Sequence, residues 1–317
     1  MKKISAICTL MLTVMMAQGA SQERLKFGDF DSWVVRQIKE SAVIGGNTKT
    51  LYAIGPNTTI TDGRAYVNMG GSPWATSNVM AKVMGVTKGS NAVFRDTRSA
   101  GNYCAKLCTI METVQALGII NMDVLVSGSI FLGRVNEPIS STKNPYSKME
   151  MGVPFTKRPS YLVYDYKVFA PNGPRVYSSG FGGKKTYAGH DSAEVYLFLQ
   201  QRWEDAKGQI HAKRVGTGRE RYTNTTPNWV NNHKMPIYYG NITGRPEYRS
   251  YMGLTPKSAS YYARNSKGKM VPVYEEGWAD ADTIPTHLMI MASSGCGTAY
   301  IGTVGMTLWI DNVVLEY

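Results

Sequence analysis

Trp74 and Asn78 stand four residues apart behind Pro73, Arg158 precedes Pro159, and Glu194-Val195-Tyr196-Leu197-Phe198-Leu199-Gln200 alternates polar or aromatic residues with aliphatic ones. Flat aromatic faces stack on the C–H faces of a sugar ring, and planar amide, carboxylate and guanidinium groups hydrogen-bond its adjacent hydroxyls. The residues with the types for that chemistry are Trp74, Asn78, Arg158, Asp191, Glu194 and Tyr196. Each has a structural alternative. Arg158 could pair with a buried carboxylate such as Asp191, while Trp33 and Trp309 lie in expected strands and suit a core better than a platform.

Cleavage of a glycosidic bond asks for two carboxylates, roughly 5 to 5.5 Å apart for retention and about 6.5 to 9.5 Å for inversion. Alternate residues on one strand face lie roughly 7 Å apart, so Glu-x-Glu or Glu-x-Asp on a strand would serve. No such pair sits on an expected strand: Asp280-Ala281-Asp282 precedes Pro285 in a loop, and the adjacent Glu275 and Glu276 would face opposite ways. Asp165, Asp191, Glu194 and Glu204 remain candidates through assembly across strands. His190, His211, His233 and His287 are isolated and form no His-Glu-x-x-His zinc motif. Ser293-Ser294-Gly295-Cys296-Gly297 lacks the Gly-x-Ser-x-Gly nucleophile elbow and reads as a strand-end turn. No organic cofactor is expected. A structural calcium would take its oxygens from Asp29, Asp31 or Asp311, although no EF-hand loop is present.

The elements that must position these residues are strands. The chain has 32 glycines and 20 tyrosines, and helix-forming residues at helical spacing are scarce. Strands are expected at 65–69, 91–96, 102–109, 123–132, 160–170, 193–203, 229–238, 286–293 and 307–317, separated by Gly, Pro, Asn and Ser. Short helical turns are expected at 77–84 and 108–117. That spacing predicts an all-β sandwich with long loop insertions, the longest from Thr217 to Asp282. Period-2 alternation puts Ala193, Val195, Leu197 and Leu199 on a core face and Glu194, Tyr196, Phe198 and Gln200 on an aromatic and polar surface.

Lys2 and Lys3, the apolar run from Ile4 to Met16 and the small residues through Ala20 form an expected cleavable export signal over residues 1–20. The run is shorter than the roughly 20 residues a spanning helix needs, and no later apolar run reaches that length. A secreted or periplasmic protein without a membrane anchor is therefore expected, its single domain covering 21–317. The formal charge of +12 includes Lys2 and Lys3 and favours polyanionic partners such as acidic glycans. Basic residues such as Arg158, Arg202 and Arg219 are scattered, as on a solvated face, and no run of them points to nucleic acid. Cys104, Cys108 and Cys296 are odd in number; Cys104 and Cys108 are the pair that could bridge.

Six blocks in order resemble the putative carbohydrate metabolism domain of Bacteroidota, a jelly-roll family. Phe27-Gly28-Asp29-Phe30-Asp31-Ser32-Trp33 is similar to its acidic-Phe-acidic-x-Trp opening, and Trp74-Ala75-Thr76-Ser77-Asn78 to its Trp-x-(Ser/Thr)-(Ser/Thr)-Asn block. Gly128-Ser129-Ile130-Phe131-Leu132-Gly133 resembles the family's Gly-x-(Leu/Ile)-Phe-x-Gly turn. Gly152 to Leu162 with Tyr166-Lys167 is the most specific block, followed by Asp191 to Leu199 and by Gly302 to Val313. The likeness runs from about residue 27 to 317, without the immunoglobulin-like domain that precedes the jelly roll in some members. It implies a β-sandwich jelly roll with a sugar pocket on the concave face and a context in glycan utilisation, not a reaction. The sequence reading is thus an exported protein that binds oligo- or polysaccharide. The alternatives are a glycoside hydrolase or lyase on the same scaffold, and a structural or adhesion subunit.

Overall fold

The computed structural model describes residues 21–116, 120–141, 143–180 and 182–317. The export segment expected at 1–20 lies outside the described residues. The chain is an all-β sandwich; among the described residues helical structure is limited to four short 3₁₀ turns.

An eight-stranded sheet has the central order Ile120–Ser127, Asn102–Ala116, Thr307–Glu316, Tyr161–Phe169 and Val230–Pro236. It faces a ten-stranded sheet in which His287–Ser293, Ala193–Glu204, Ile210–Tyr222 and Met270–Trp278 lie side by side. Between the two, Leu162, Tyr164, Val168, Leu308 and Ile310 pack against Ala193, Val195, Leu197, Leu199, Leu288 and Ile290. Burying each such aliphatic side chain contributes about 1.5 to 3 kcal/mol. A smaller sheet of Trp33–Lys39, Thr48–Ile54 and Thr58–Ile60 adds Trp33 and Ile54 to this core.

The larger sheet closes on itself. From Met270–Trp278 it continues through Tyr261–Arg264, Met149–Met151 and Ser129–Val135, and Ser129–Val135 pairs back onto His287–Ser293, Phe131 opposite Met291. The curled sheet therefore has an inside. Side chains alternate across a strand, so Glu194, Tyr196, Phe198 and Gln200, opposite to the core set, point into it. All four are buried. This corrects the expectation of an open aromatic surface: Phe131, Met151, Tyr196, Phe198 and Met289 form a second apolar cluster.

Several expected elements change. The turns expected at 77–84 and 108–117 are strands, Val79–Val83 and Asn102–Ala116, the latter paired in register with Ile120–Ser127; Leu117 is outside the described residues. Residues 65–69 form no strand: Tyr66 N donates to the Glu137 carboxylate instead of to a neighbouring strand, and the Asn68 side chain donates from Nδ2 to the carbonyls of Ser72, Trp74 and Gly133. The strand expected at 123–132 breaks at Gly128 into Ile120–Ser127 and Ser129–Val135, one in each large sheet. The region 217–282 holds the end of Ile210–Tyr222 together with Val230–Pro236, Tyr261–Arg264 and Met270–Trp278, so its irregular part shrinks mainly to residues 240–260. Cys104 and Cys108 sit on one strand, about 13 Å apart at 3.3 Å per residue, too far to bridge. All three described cysteines are free thiols.

Candidate functional site

Strand register assembles the site. Opposite residues in neighbouring strands share a face, so the pairing of Ala193–Glu204 with Ile210–Tyr222 and His287–Ser293 stacks rows inside the curl. Glu194 lies between Ser293 and Arg221, Tyr196 between Met291 and Arg219, and Phe198 between Met289 and Thr217. Gly216 and Gly218 face the other way, where a Cβ would meet Leu199 and Ile237 or Met235 and the Pro236 carbonyl at 3.0 to 3.2 Å. Small residues there let the strand lie close to the core while its arginines turn inward.

At the end of the curl is a cavity of about 540 Å³, lined by Glu194, Tyr196, Arg219, Arg221, Tyr251 and Tyr261 among others. Glu194 accepts from Arg219 Nη2 at 2.9 Å and from Arg221 Nε at 3.1 Å. Arg219 also donates from Nε to Glu194 at 3.2 Å and from Nη1 to the Tyr251 carbonyl at 2.6 Å. Burial works against the Arg219 proton, but the Glu194 carboxylate outweighs it, so its affinity for the proton rises. The Arg221 guanidinium lies 4.6 Å over the Tyr251 ring. Tyr196 stacks on Phe198 with centroids 4.6 Å apart and donates its hydroxyl to Met291 Sδ at 3.0 Å. Burial raises the Tyr196 and Tyr261 hydroxyls and pushes Tyr146 up to about 12, so these phenols stay protonated.

Below lies a polar floor. Arg214 and Glu275, both fully buried, meet through Nε–Oε1 at 2.6 Å and Nη2–Oε2 at 2.5 Å, and Arg214 covers the Phe198 ring at 3.5 Å. Gln200 Nε2 and the Thr255 amide complete the Glu275 carboxylate, both at 2.7 Å. Burial alone would raise that carboxyl; Arg214 and these donors hold it below the usual range. The Thr255 bond ties the covering segment, with its 3₁₀ turns Ser250–Met252 and Lys257–Ala259, to the barrel floor.

Of the residues singled out from sequence, the structure brings Glu194 and Tyr196 together here. Trp74 is in the sandwich core, its ring edge-on to Phe30 and its Nε1 donating to the Lys26 carbonyl. Asn78 is buried, with Nδ2 on the Tyr52 and Val93 carbonyls and Oδ1 accepting the Ala92 and Val93 amides. Arg158 donates to the Ala281 and Thr283 carbonyls and covers Tyr239, rather than pairing with Asp191. Asp191 is buried, raised by desolvation, and accepts the Ser192 and Thr303 amides at the wall of a separate polar cavity of about 610 Å³ shared with Asn172, His190 and Asn224.

Sequence reasoning passed over Arg221, set Glu275 aside as one of two adjacent carboxylates facing opposite ways, and placed Arg214 and Arg219 on a solvated face, whereas Arg214 is fully buried against Glu275 and Arg219 is largely covered against Glu194. The available signal was the alternation Arg219-Glu220-Arg221, hidden because glycines instead of aliphatic residues mark the core face. Of the suggested calcium donors, Asp29 meets Arg24 at 3.4 Å, Asp31 accepts the Tyr103 amide at 2.8 Å, and Asp311 and Asp165 both accept from Arg98 Nη1, at 2.6 Å each. No cluster of three or more metal-ligating side chains occurs among the described residues.

A third hollow, of about 240 Å³, lies beside the hairpin Val79–Val83 and Val86–Ser90. Its lining is mainly aliphatic, with Val79, Val86, Met122, Val124, Val126 and Ile139. Lys88 and Glu112, an ion pair at 3.5 Å, also border it.

The sequence profile of the putative carbohydrate metabolism domain matches residues 43–249, a span that includes Glu194, Tyr196, Arg219 and Arg221. Among solved structures, a putative glycoside hydrolase from Bacteroides thetaiotaomicron VPI-5482 aligns with 16% identity and a TM-score of 0.44 over 86% of this chain and 81% of its own. A putative glycoside hydrolase from Bacteroides vulgatus ATCC 8482 aligns with 14% identity and a TM-score of 0.44 over 94% of this chain and 95% of its own. No curated protein matches the chain.

Proposed function

The chain belongs to the putative carbohydrate metabolism domain family, and from that premise we propose that it is an exported glycan-binding protein whose sugar site is the cavity at Glu194, Tyr196, Arg219 and Arg221. The observation that carries this is the cross-strand rows, which put a carboxylate, two guanidiniums and aromatic rings at one barrel mouth, the place where barrels hold small ligands. Arg219 and Arg221 fix Glu194, so the cavity meets a ligand with its groups already oriented. Glu194 is the one carboxylate among the described residues that line it, and hydrolysis by paired carboxylates needs a second. The lining therefore favours binding over hydrolysis by paired carboxylates. Export rests on the segment 1–20 as read from sequence.

Calorimetric titration against an oligosaccharide panel, with an assay for released reducing ends, tests this. The expected result is saturable binding with no reducing ends, weakened about tenfold by Tyr251→Ala through the loss of the ring that borders the cavity and backs Arg221. Reducing ends that disappear on Glu194→Gln would replace this reading by a hydrolase or lyase. Stable multimers with no affinity for any glycan would favour a structural subunit.

A further inference from the structure

The charges lining the cavity do not balance. Arg219 and Arg221 face one carboxylate, Glu194, while Arg214 and Glu275 neutralise each other below. The two lining arginines also differ in how many of their donors are occupied. Arg219 spends Nε, Nη1 and Nη2 on Glu194 and the Tyr251 carbonyl. Arg221 spends only Nε, on Glu194, so its Nη1 and Nη2 have no protein partner among the described residues. Its side chain is 27% exposed.

This free end is held in place. Glu194 fixes the Nε edge and the Tyr251 ring fixes the plane, so the paired Nη groups are oriented in advance. A guanidinium presents parallel N–H donors that match two oxygens of one anion, and little side-chain entropy remains to be lost. The rest of the lining does not repel an anion: Ser250, Thr255, Ser258 and Thr298 are neutral, and Tyr146, Tyr196 and Tyr261 remain protonated.

We propose that the cavity takes its glycan through an acidic sugar, whose paired anionic oxygens dock on Nη1 and Nη2 of Arg221. This rests on the glycan reading of the same cavity and adds the charge of the ligand. The chemistry fits a uronic acid carboxylate and equally a sulfate ester.

The test titrates the full-length protein with oligosaccharides from uronate-rich polysaccharides, the same oligosaccharides after carboxyl reduction, and sulfated oligosaccharides. A preference of about ten- to hundredfold for a charged form over its neutral counterpart is expected, shrinking as salt is raised. Arg221→Gln should bring the charged ligand down to the affinity of the reduced one, and Arg221→Lys, which keeps the charge but not the fork, should fall between. Preference for uronate or for sulfate would each support the proposal and identify the source of the anion. Equal affinity for charged and reduced forms would overturn it while leaving the glycan reading intact. A preference that survives Arg221→Gln would overturn it too, by locating the anion elsewhere. Failure of every sugar in the panel would remove the glycan reading and this proposal together. If the glutamine variant does not fold, Arg221→Lys decides the matter: a preference undiminished in that variant overturns the proposal, and a reduced one supports it.

Discussion

Burial makes opposite demands on two titrating side chains. Asp311, fully buried beside Arg98, has its carboxyl pushed up to about 6 by desolvation, which Arg98 only partly offsets. His287, desolvated and near Arg202, is pushed down to about 4. For Asp311 the folded chain keeps a proton that the unfolded chain has released near 3.8, so its contribution to stability is full below that value and is lost as pH rises toward 6. For His287 the unfolded chain takes up a proton near 6.5 that the folded chain refuses until about 4, so its contribution is full above 6.5 and is lost as pH falls. The two slopes oppose each other between pH 4 and 6. Relative to the parent, the melting temperature of Asp311→Asn should climb with pH across that window, and that of His287→Gln should decline. Melting curves at several pH values that stay parallel for all three proteins would refute the assignment.

At the level of elements, the strand switch at Gly128 and the barrel floor are the places where single changes do most harm. A Cβ at Gly128 would lie 2.2 Å from the Ala92 carbonyl oxygen and 2.6 Å from the Cys108 amide, and neither backbone atom can rotate away. Gly128→Ala is expected to cost about 3 kcal/mol or more in urea unfolding, and a loss under about 1 kcal/mol would show that the backbone yields. In the floor, Arg214→Met leaves Glu275 buried without its partner and should cost about 3 to 5 kcal/mol; adding Glu275→Leu should recover much of that. The same elements explain what could be read in advance. Ala193–Glu204 was legible because Val195, Leu197 and Leu199 alternate with polar and aromatic residues. Ile210–Tyr222 was not, since its core-facing positions include Gly216 and Gly218 and its inward positions include Arg214, Arg219 and Arg221, which inverts the usual hydrophobic signal. Trp74 and Asn78 carried the right side chains for sugar recognition, but their polar atoms are committed to Lys26, Tyr52 and Val93, a use that composition does not reveal.

For the whole molecule, the sandwich followed from strand spacing, but the closure of its larger sheet did not. Closure depends on Ser129–Val135 meeting His287–Ser293 across more than 150 residues, and no local pattern encodes that pairing. It also decides the site, because only an inward curl turns the second face of Ala193–Glu204 into the wall of a cavity. The aliphatic hollow beside the Val79–Ser90 hairpin has a practical consequence for anyone who follows this protein in solution. Anilinonaphthalene sulfonate brightens in dry apolar clefts, and its fluorescence is commonly taken as the mark of a loosened, partly folded state. Here the native protein should light the dye by itself, and the signal should fall, not rise, on entry into the unfolding transition. Filling the hollow with Val126→Trp should darken the native sample without lowering its near-ultraviolet dichroism; a bright dye signal in that variant would place the binding elsewhere.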